Sequence, residues 1–518
     1  MQKKFEEHSD FNLSEINKQV LEEWDKNHAS ERSVSEHEGF PHFTFYEGPP
    51  SANGHPGIHH VLARTIKDTI CRYKTMKGYY VPRKAGWDTH GLPVELGVEK
   101  EMGITKDDIG KTVSIEEYNA HCRSNVMKFT AEWENLSRLM GYWVDMKRPY
   151  ITYENYYIES VWWLLHNLYS QGLIYKGYTI QPYSPAAGTG LSSHELNMPG
   201  CYRDVKDTTV TAMFHMTSPQ GAFKTDWGET YFMAWTTTPW TLPSNTALCV
   251  GPKIDYVLVN TFNPYTSQPI SVVMAEARIA SYFNPAGAEA AMENYEKGGK
   301  ILPYRVVAHF KGTDLEGLKY EQLFAYVNPG EGAFRVILGD YVSTEDGTGI
   351  VHIAPTFGAD DAFVAKKAGV PALQLIDKNG NKRPMVDLKG RFYKLEDLDE
   401  DFKQKHMNVD LYKTYAGRFV KNAYDDKLTD KDETLDISIC MELKASGLAF
   451  RIEKHVHNYP HCWRTDKPIL YYPLDSWFIR STARKERMFE LNKNIKWKPQ
   501  STGTGRFGKW LENLNDWN

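Results

Sequence analysis

Apolar positions change their spacing several times along the chain, and each change marks an element. His42-Phe43-Thr44-Phe45-Tyr46 is an apolar, aromatic run that reads as a buried strand. Pro and Gly in Glu47-Gly48-Pro49-Pro50-Ser51-Ala52-Asn53-Gly54 then force an irregular turn. Beyond it Leu62, Ile66, Ile70 and Tyr73 recur at helical spacing, with Arg64, Lys67, Asp68 and Lys74 off that stripe. Tyr79-Tyr80-Val81-Pro82 predicts a second strand, leading into Gly86-Trp87-Asp88-Thr89-His90-Gly91. Strand, helix, strand is a βαβ unit and implies a parallel, doubly wound sheet. Ligands bind such sheets beyond the carboxyl ends of the strands, where both loops fall.

The flanking patterns are simpler. Ile16, Val20 and Trp24 predict an early helix capped by Ser14. Residues 97–150 read as mainly helical and polar. Ile158, Val161, Trp162, Leu165 and Leu168 share one helical face that Gly172 terminates, and core packing is the simplest use of that stripe. From about residue 200 short β-rich runs take over at 208–214, 231–235, 256–259 and 270–274. They predict a separate β-rich domain over 200–435, between a first part (1–199) and a returning part (436–518). The chain closes on Asp516-Trp517-Asn518 with no helix stop or capping turn, the pattern of a truncated segment.

Composition narrows the class. A length of 518 residues suggests more than one domain, and 14 Trp with 31 Tyr suffice for large cores and aromatic-lined pockets. A net charge of −5 neither signals nucleic acid nor excludes a local basic face. The six cysteines form no C-x-x-C pair, so neither a disulfide framework nor a zinc knuckle is signalled, and a reducing, cytoplasmic setting fits. The first eight residues carry no apolar secretory core, and no run approaches a membrane span.

Four stretches carry candidate chemistry. The start of the 58–74 helix exposes unpaired N–H groups and a positive dipole end, suited to phosphate, with His59 and His60 in its first turn. Trp235 to Asn245 holds a threonine run that is either a strand or a hydroxyl cluster for a polar ligand; its two prolines oppose an uninterrupted central strand. Gly347 to Asp361 brings His352, Asp360 and Asp361 without zinc spacing. His455, His457, His461 and Cys462 match no common metal template either. The basic run from Arg480 to Lys498 reads as a solvated helix face.

Together these segments resemble the class I aminoacyl-tRNA synthetases, most of all the isoleucyl family. Gly48-Pro49-Pro50-x-Ala52-Asn53-Gly54 and Gly86-Trp87-Asp88-x-His90-Gly91-Leu92-Pro93-Val94-Glu95 resemble its two N-terminal motifs. Thr236-Thr237-Thr238-Pro239-Trp240-Thr241-Leu242-Pro243-Ser244-Asn245 and Gly347-Thr348-Gly349-x-Val351-His352 through Asp360-Asp361 resemble its editing motifs. Tyr459-Pro460-His461-Cys462-Trp463-Arg464 resembles the strand that returns to the catalytic domain. The match spans nearly the whole chain in the right order. The valyl enzymes are the nearest rivals, and they usually lack His-Gly-Leu-Pro in the second motif. A freestanding hydrolase of mischarged tRNA and a non-catalytic tRNA-binding module are the alternatives from other classes. A complete ligase-like first half argues against the former, and Asp88 with Asp361 against the latter.

The resemblance implies a Rossmann-like nucleotide-binding domain interrupted by a β-rich editing domain, in a cytoplasmic monomer. It implies ATP with Mg2+ as substrate, isoleucine and tRNA(Ile) as partners, and hydrolysis of wrongly attached valine. By the same analogy Asp88 binds the substrate ammonium, Gly48 and Pro49 border the amino-acid pocket, and Trp517 walls it. His60 contacts ATP phosphates. Asp361 holds the ammonium of the misplaced amino acid, while Thr237, Thr238, Thr241, Asn245 and His352 position the ester and attacking water.

Three departures stand out. The family's His-Ile-Gly-His here reads Gly57-Ile58-His59-His60, with its first and third positions exchanged, so His59 either swings back to the place vacated at Gly57 or ATP sits differently. The family's zinc thiols are replaced at Ser184-x-x-Ala187 and Cys462-x-x-Thr465, where one thiol of four remains, so no metal is expected. No Lys-Met-Ser-Lys-Ser loop or anticodon-binding helical domain is present, so this segment alone is expected not to activate isoleucine.

Overall fold

A computed structural model describes residues 11–518 apart from 297, 300 and 430. The N-terminal residues read above for a secretory signal lie outside the described residues. The chain forms two compact units: one runs to Tyr175 and resumes at Ile479–Trp517, the other is Lys176–Phe478. Both expected boundaries, at 199/200 and 435/436, fall inside the second. The architecture is α/β with mixed sheets.

In the first unit a parallel array is built around Lys84–Trp87, which pairs with Asp145–Ile151. The expected strand at 42–46 is not one. This segment forms an isolated parallel bridge, His42↔Tyr80, the next being Ser51↔Asp88 beyond it, and Tyr46 is 88% exposed. Prolines 49 and 50 have no N–H to give to a ladder. Pro82 likewise delays the second strand from the expected 79–82 to Lys84. The strand Asp145–Ile151 was hidden within a stretch that reads as helix. The first helix, Leu13–Lys26, is capped by Asn12 rather than Ser14, since the Asn12 side chain accepts from Ser14 N and Glu15 N at 3.1 and 3.3 Å.

The helix Ile58–Met76 forms as expected but faces the other way. Its apolar stripe is exposed, Leu62 at 67% and Ile66, Ile70 and Tyr73 at about half, while Arg64, Cys71 and Thr75 are buried. Polar partners decide the orientation. The Arg64 guanidinium lies 4.9 Å over Trp133 and 5.4 Å over Tyr142 and donates to Ser137. Lys67 pairs with Glu47 at 2.6 Å. Asp68 accepts from Trp143 N at 3.2 Å and pairs with Arg72, itself stacked 3.7 Å over Trp143. The helix Asn155–Ser170 also departs from expectation: it buries no residue, and Trp162 is 69% exposed. The fully buried cluster beneath the loops is small: Ala52, Trp87, Val94, Val126 and Trp133.

The second unit holds the large core. A six-stranded sheet runs in the order Arg305–Lys311, Asp255–Phe262, Pro269–Ala275, Glu229–Thr236, Tyr202–His215, Ala449–Pro460. It is antiparallel except between Glu229–Thr236 and Pro269–Ala275. All four predicted β runs from 208 to 274 are strands in it. A second sheet places Ala247–Val250 between Arg335–Leu338 (parallel) and Ile350–Ile353 (antiparallel). Phe214, Phe232, Leu248, Tyr256 and Ile350 belong to one continuous buried cluster over these sheets.

Candidate functional site

Two groups of predicted residues are assembled, one in each unit. In the first, Asp88 N donates to Pro50 O at 3.0 Å and Ala52 N to Asp88 O at 3.1 Å. These bonds hold Gly48, Pro49 and Asp88 at neighbouring loop ends. Glu47 anchors the turn: its carboxylate takes Lys67 and the Tyr142 hydroxyl, and its carbonyl accepts from Tyr150 OH at 2.9 Å. Trp517 is not joined to this group. Its backbone pairs with Ile479 and its ring is exposed.

Gly57 caps the Ile58–Met76 helix in extended backbone, φ −115°. Its N–H donates to His60 Nδ1 at 2.9 Å. A neutral imidazole that accepts at Nδ1 carries its proton on Nε2, so His60 offers one N–H donor at the helix start. Burial, then the neighbouring His59, push the His60 pKa down, which favours that neutral form. The His60 ring packs edge-on to Trp133, whose Nε1 donates to Gly54 O at 2.8 Å. The His59 ring lies 3.8 Å from that of His60. A Cβ at Gly57 would stand 2.8 Å from His59 Cε1. His59 therefore folds back over Gly57.

In the second unit the threonine run leaves the strand Glu229–Thr236 and becomes a short 3-10 helix, Pro239–Ser244. Thr241 Oγ1 donates to Thr238 O at 2.8 Å and lies 3.1 Å from His352 Nε2. With its proton spent on Thr238, the Thr241 hydroxyl accepts from His352, fixing the Nε2–H tautomer. His352 Nδ1 is left buried without a hydrogen bond. Burial pulls the His352 pKa down to about 4, so the ring is neutral at physiological pH.

Two residues further on, Ala354 N donates to Asp361 Oδ2 at 2.8 Å. Gly358 makes room for that carboxylate, because a Cβ there would sit 2.8 Å from Asp361 Cγ. Burial, followed by the charge of Asp360, pushes Asp361 up to about 6 in spite of this bond. A carboxylate so poorly solvated gains most from a cationic ligand. Thr237 and Thr238, between the strand and the 3-10 helix, are partly exposed, and Thr238 N donates to Thr236 Oγ1 at 3.1 Å. Asn245 is buried with its amide already committed, donating to Ala247 O at 2.8 Å and accepting from Tyr320 OH at 2.6 Å. Thr236 and Tyr320 thus complete the loop's support. Thr236 opens the motif quoted from the sequence, whereas Tyr320 lies in a stretch with no recognisable pattern.

The remaining chemistry-bearing residues are occupied. His457 Nε2 meets Asp207 at 3.1 Å, His461 Nδ1 lies 2.9 Å from Tyr459 O, and His455 packs edge-on to Trp235. Among the described residues no group of three His, Cys, Asp or Glu could hold a metal ion. Ser184 Oγ instead accepts from Ala187 N at 3.2 Å, and Thr465 N donates to Cys462 O at 3.2 Å.

A helix-start histidine pair and a Thr–His–Asp group thus stand in this order along one chain. The family model for class I tRNA synthetases (I, L, M and V) matches residues 19–518, and the chain belongs to this family. Curated relatives named isoleucine--tRNA ligase share its sequence. The protein of Bacteroides fragilis is 72% identical over 518 residues, covering all of this chain and 45% of its own length. That of Porphyromonas gingivalis is 66% identical over 519 residues, covering 100% of this chain and 46% of its own. That of Clostridium tetani is 41% identical over 504 residues, covering 97% and 42%. The chain spans less than half the length of these relatives.

Proposed function

We propose that this chain is the amino-terminal portion of an isoleucine–tRNA ligase with hydrolytic editing. The observation that carries this reading is 72% identity, over every residue of the chain, to a relative of that name. In it the first unit is the first half of a Rossmann-like catalytic domain. The second unit contains the editing domain, with residues 200–435 at its centre.

Isoleucine and ATP form isoleucyl-adenylate, and the acyl group passes to tRNA(Ile). Asp88 binds the amino-acid ammonium beside Gly48 and Pro49. The His60 Nε2–H, at a helix start, stabilises charge developing on the phosphates, and no covalent catalysis is asked of it. His59, folded over Gly57, restores an imidazole near the position that the family fills first. Magnesium travels with the ATP phosphates, and no described residue is assigned as its ligand. Trp517 keeps its place as a pocket wall only if its exposed ring is recruited by substrate. The surroundings of this chemistry are cytoplasmic, and the protein acts as a monomer.

The second reaction corrects the first. Valine lacks one methylene, which a hydrophobic pocket reads as only about 1–3 kcal/mol, a limit already known for this pair of amino acids. Asp361 holds the ammonium of the misplaced valine. Thr237, Thr238 and the Thr241–His352 pair orient the ester and the water, and Asn245 braces the loop through Tyr320. A neutral His352, tied by Nε2–H to Thr241, fixes the direction of that hydroxyl. Zinc has no part in this reading, because one thiol of four remains at the turns Ser184–Ala187 and Cys462–Thr465.

The test uses the full-length protein. Isoleucine-dependent ATP–pyrophosphate exchange and valyl-tRNA(Ile) deacylation are both expected. Exchange at background, or exchange driven by valine in preference to isoleucine, overturns the assignment and favours the valyl alternative or a freestanding deacylase.

A further inference from the structure

Asp436 and Lys421 have no part in the chemistry assigned so far, yet they reach its centre. Asp436 lies in the first turn of the helix Leu435–Ala445, which Thr434 caps, and its side chain is 4% exposed. Its Oδ1 accepts from the backbone N–H of Trp240 at 2.9 Å, across 196 residues of sequence. That N–H belongs to the start of the 3-10 helix Pro239–Ser244. The first turn of a helix exposes donors with no intrahelical partner. Thr238, at the cap position, supplies no side-chain bond, and Pro239 has no N–H. Trp240 therefore carries the first donor of this turn, and a carboxylate from a distant helix satisfies it. The next residue is Thr241, whose hydroxyl meets His352 at 3.1 Å.

The carboxylate is itself held. Its Oδ2 faces Lys421 Nζ at 3.6 Å, and Lys421 also donates to Asp207 at 2.8 Å and lies 4.9 Å over the Tyr459 ring. Asp207 takes His457 Nε2 at 3.1 Å as well. A carboxylate this buried is costly unless paired, and Lys421 compensates two of them while fixing which oxygen of Asp436 turns to the loop. A cap made by a charged acceptor is stronger than one made by a neutral group, and it costs no reorganisation when substrate arrives.

We propose that Asp436, oriented by Lys421, is a positioning residue of the editing reaction: it caps the threonine loop through the Trp240 N–H and so holds the Thr241 hydroxyl against His352. This rests on the editing reading above. Asp436 touches neither ester nor water and acts only through the loop backbone. Asparagine retains an acceptor at the same place, whereas alanine leaves the Trp240 N–H buried and unpaired.

The test compares Asp436→Ala, Asp436→Asn and Lys421→Met in the full-length protein. Three readouts are needed: valyl-tRNA(Ile) deacylation, isoleucine-dependent ATP–pyrophosphate exchange, and hydrogen exchange at the Trp240 amide. Asp436→Ala is expected to lower the deacylation kcat at least 10-fold with KM changed less than 3-fold, and to lose Trp240 protection. Asp436→Asn is expected to stay within about 3-fold of the parent with protection kept. Lys421→Met should fall between the two. Pyrophosphate exchange should be unchanged throughout, which also reports that the variants are folded. Asp436→Ala deacylating like the parent overturns the proposal, as does a folded Asp436→Asn that is as slow as Asp436→Ala. A parent that does not deacylate at all sinks the editing reading itself, and that result is distinct from a difference among variants.

Discussion

At the scale of single residues, Asp361 makes the sharpest prediction. Its carboxyl is pushed up to about 6 by burial, so it loses its charge as pH falls through that value. An ammonium ligand needs the charged form. Deacylation kcat/KM should therefore fall as pH drops below about 6, and Asp361→Asn should remove that limb while lowering the plateau at least 10-fold. His352 contributes no second limb in the same window, because its pKa lies near 4. A pH profile for Asp361→Asn that keeps the parent's shape would count against the ammonium role. His59 and Gly57 offer a second test. Gly57→His alone meets the folded-back His59 ring and is expected to lower isoleucine-dependent pyrophosphate exchange in the full-length protein. The paired change Gly57→His with His59→Gly restores the usual order and should recover most of that loss. No recovery would mean that this site has been rebuilt around His59 in some other way. The identities of these residues were legible in the sequence, since both histidines and all the threonines stand in short motifs. Their states were not: that Asn245 accepts from Tyr320 and that the Thr241 hydroxyl meets His352 depend on neighbours from distant segments.

At the scale of elements, the helix Ile58–Met76 shows what periodicity can and cannot tell. Its existence and length follow from the spacing of Leu62, Ile66, Ile70 and Tyr73, but its orientation does not. An apolar stripe usually marks the buried face. Here Arg64 between Trp133 and Tyr142, and Arg72 on Trp143, turn the polar face inward, and no window of local sequence contains those aromatic partners. The β runs of the second unit were easier to read, because each buries two faces within one sheet and is punctuated by Gly, Pro and Asn. The strand Asp145–Ile151 was not, since it is charged and only partly buried. In the 518-residue chain Arg64→Met should cost about 2 kcal/mol, the value of a desolvated cation over an aromatic ring. Leu62→Ala should cost no more than about 0.5 kcal/mol, as for an exposed position. Thermal unfolding of the two variants checks the ranking, and the reverse order would refute the orientation described here.

At the scale of the whole molecule, the exposed stripe acquires a second meaning. The curated relatives are more than twice as long as this chain, and Leu62 and Trp162 are 67% and 69% exposed in it. In the full-length protein Leu62→Ala is then expected to cost about 2–5 kcal/mol, as core truncations do. A cost there as small as in the shorter chain would show that the face stays open. Metal analysis of the full-length protein should find no zinc at Ser184, Ala187, Cys462 and Thr465, a claim to be checked by their substitution leaving the total metal content unchanged.

The discontinuity of the first unit also bears on the order in which this chain can fold. Arg480 N donates to Leu173 O at 2.7 Å, and Tyr175 OH reaches Asp516 at 2.6 Å, 341 residues away in sequence. On the ribosome those contacts wait until the whole of Lys176–Phe478 has been made. If that segment were still unstructured, closing so long a loop would oppose them, although the cost grows slowly, by about 0.6 kcal/mol per doubling. Once it has collapsed around its own core, its two ends are held by structure rather than brought together by chance. The late-made segment Ile479–Trp517 is thus the part that completes the first unit last. In pulsed hydrogen exchange the amides of Tyr202–His215 should gain protection before those of Ile479 and Trp517.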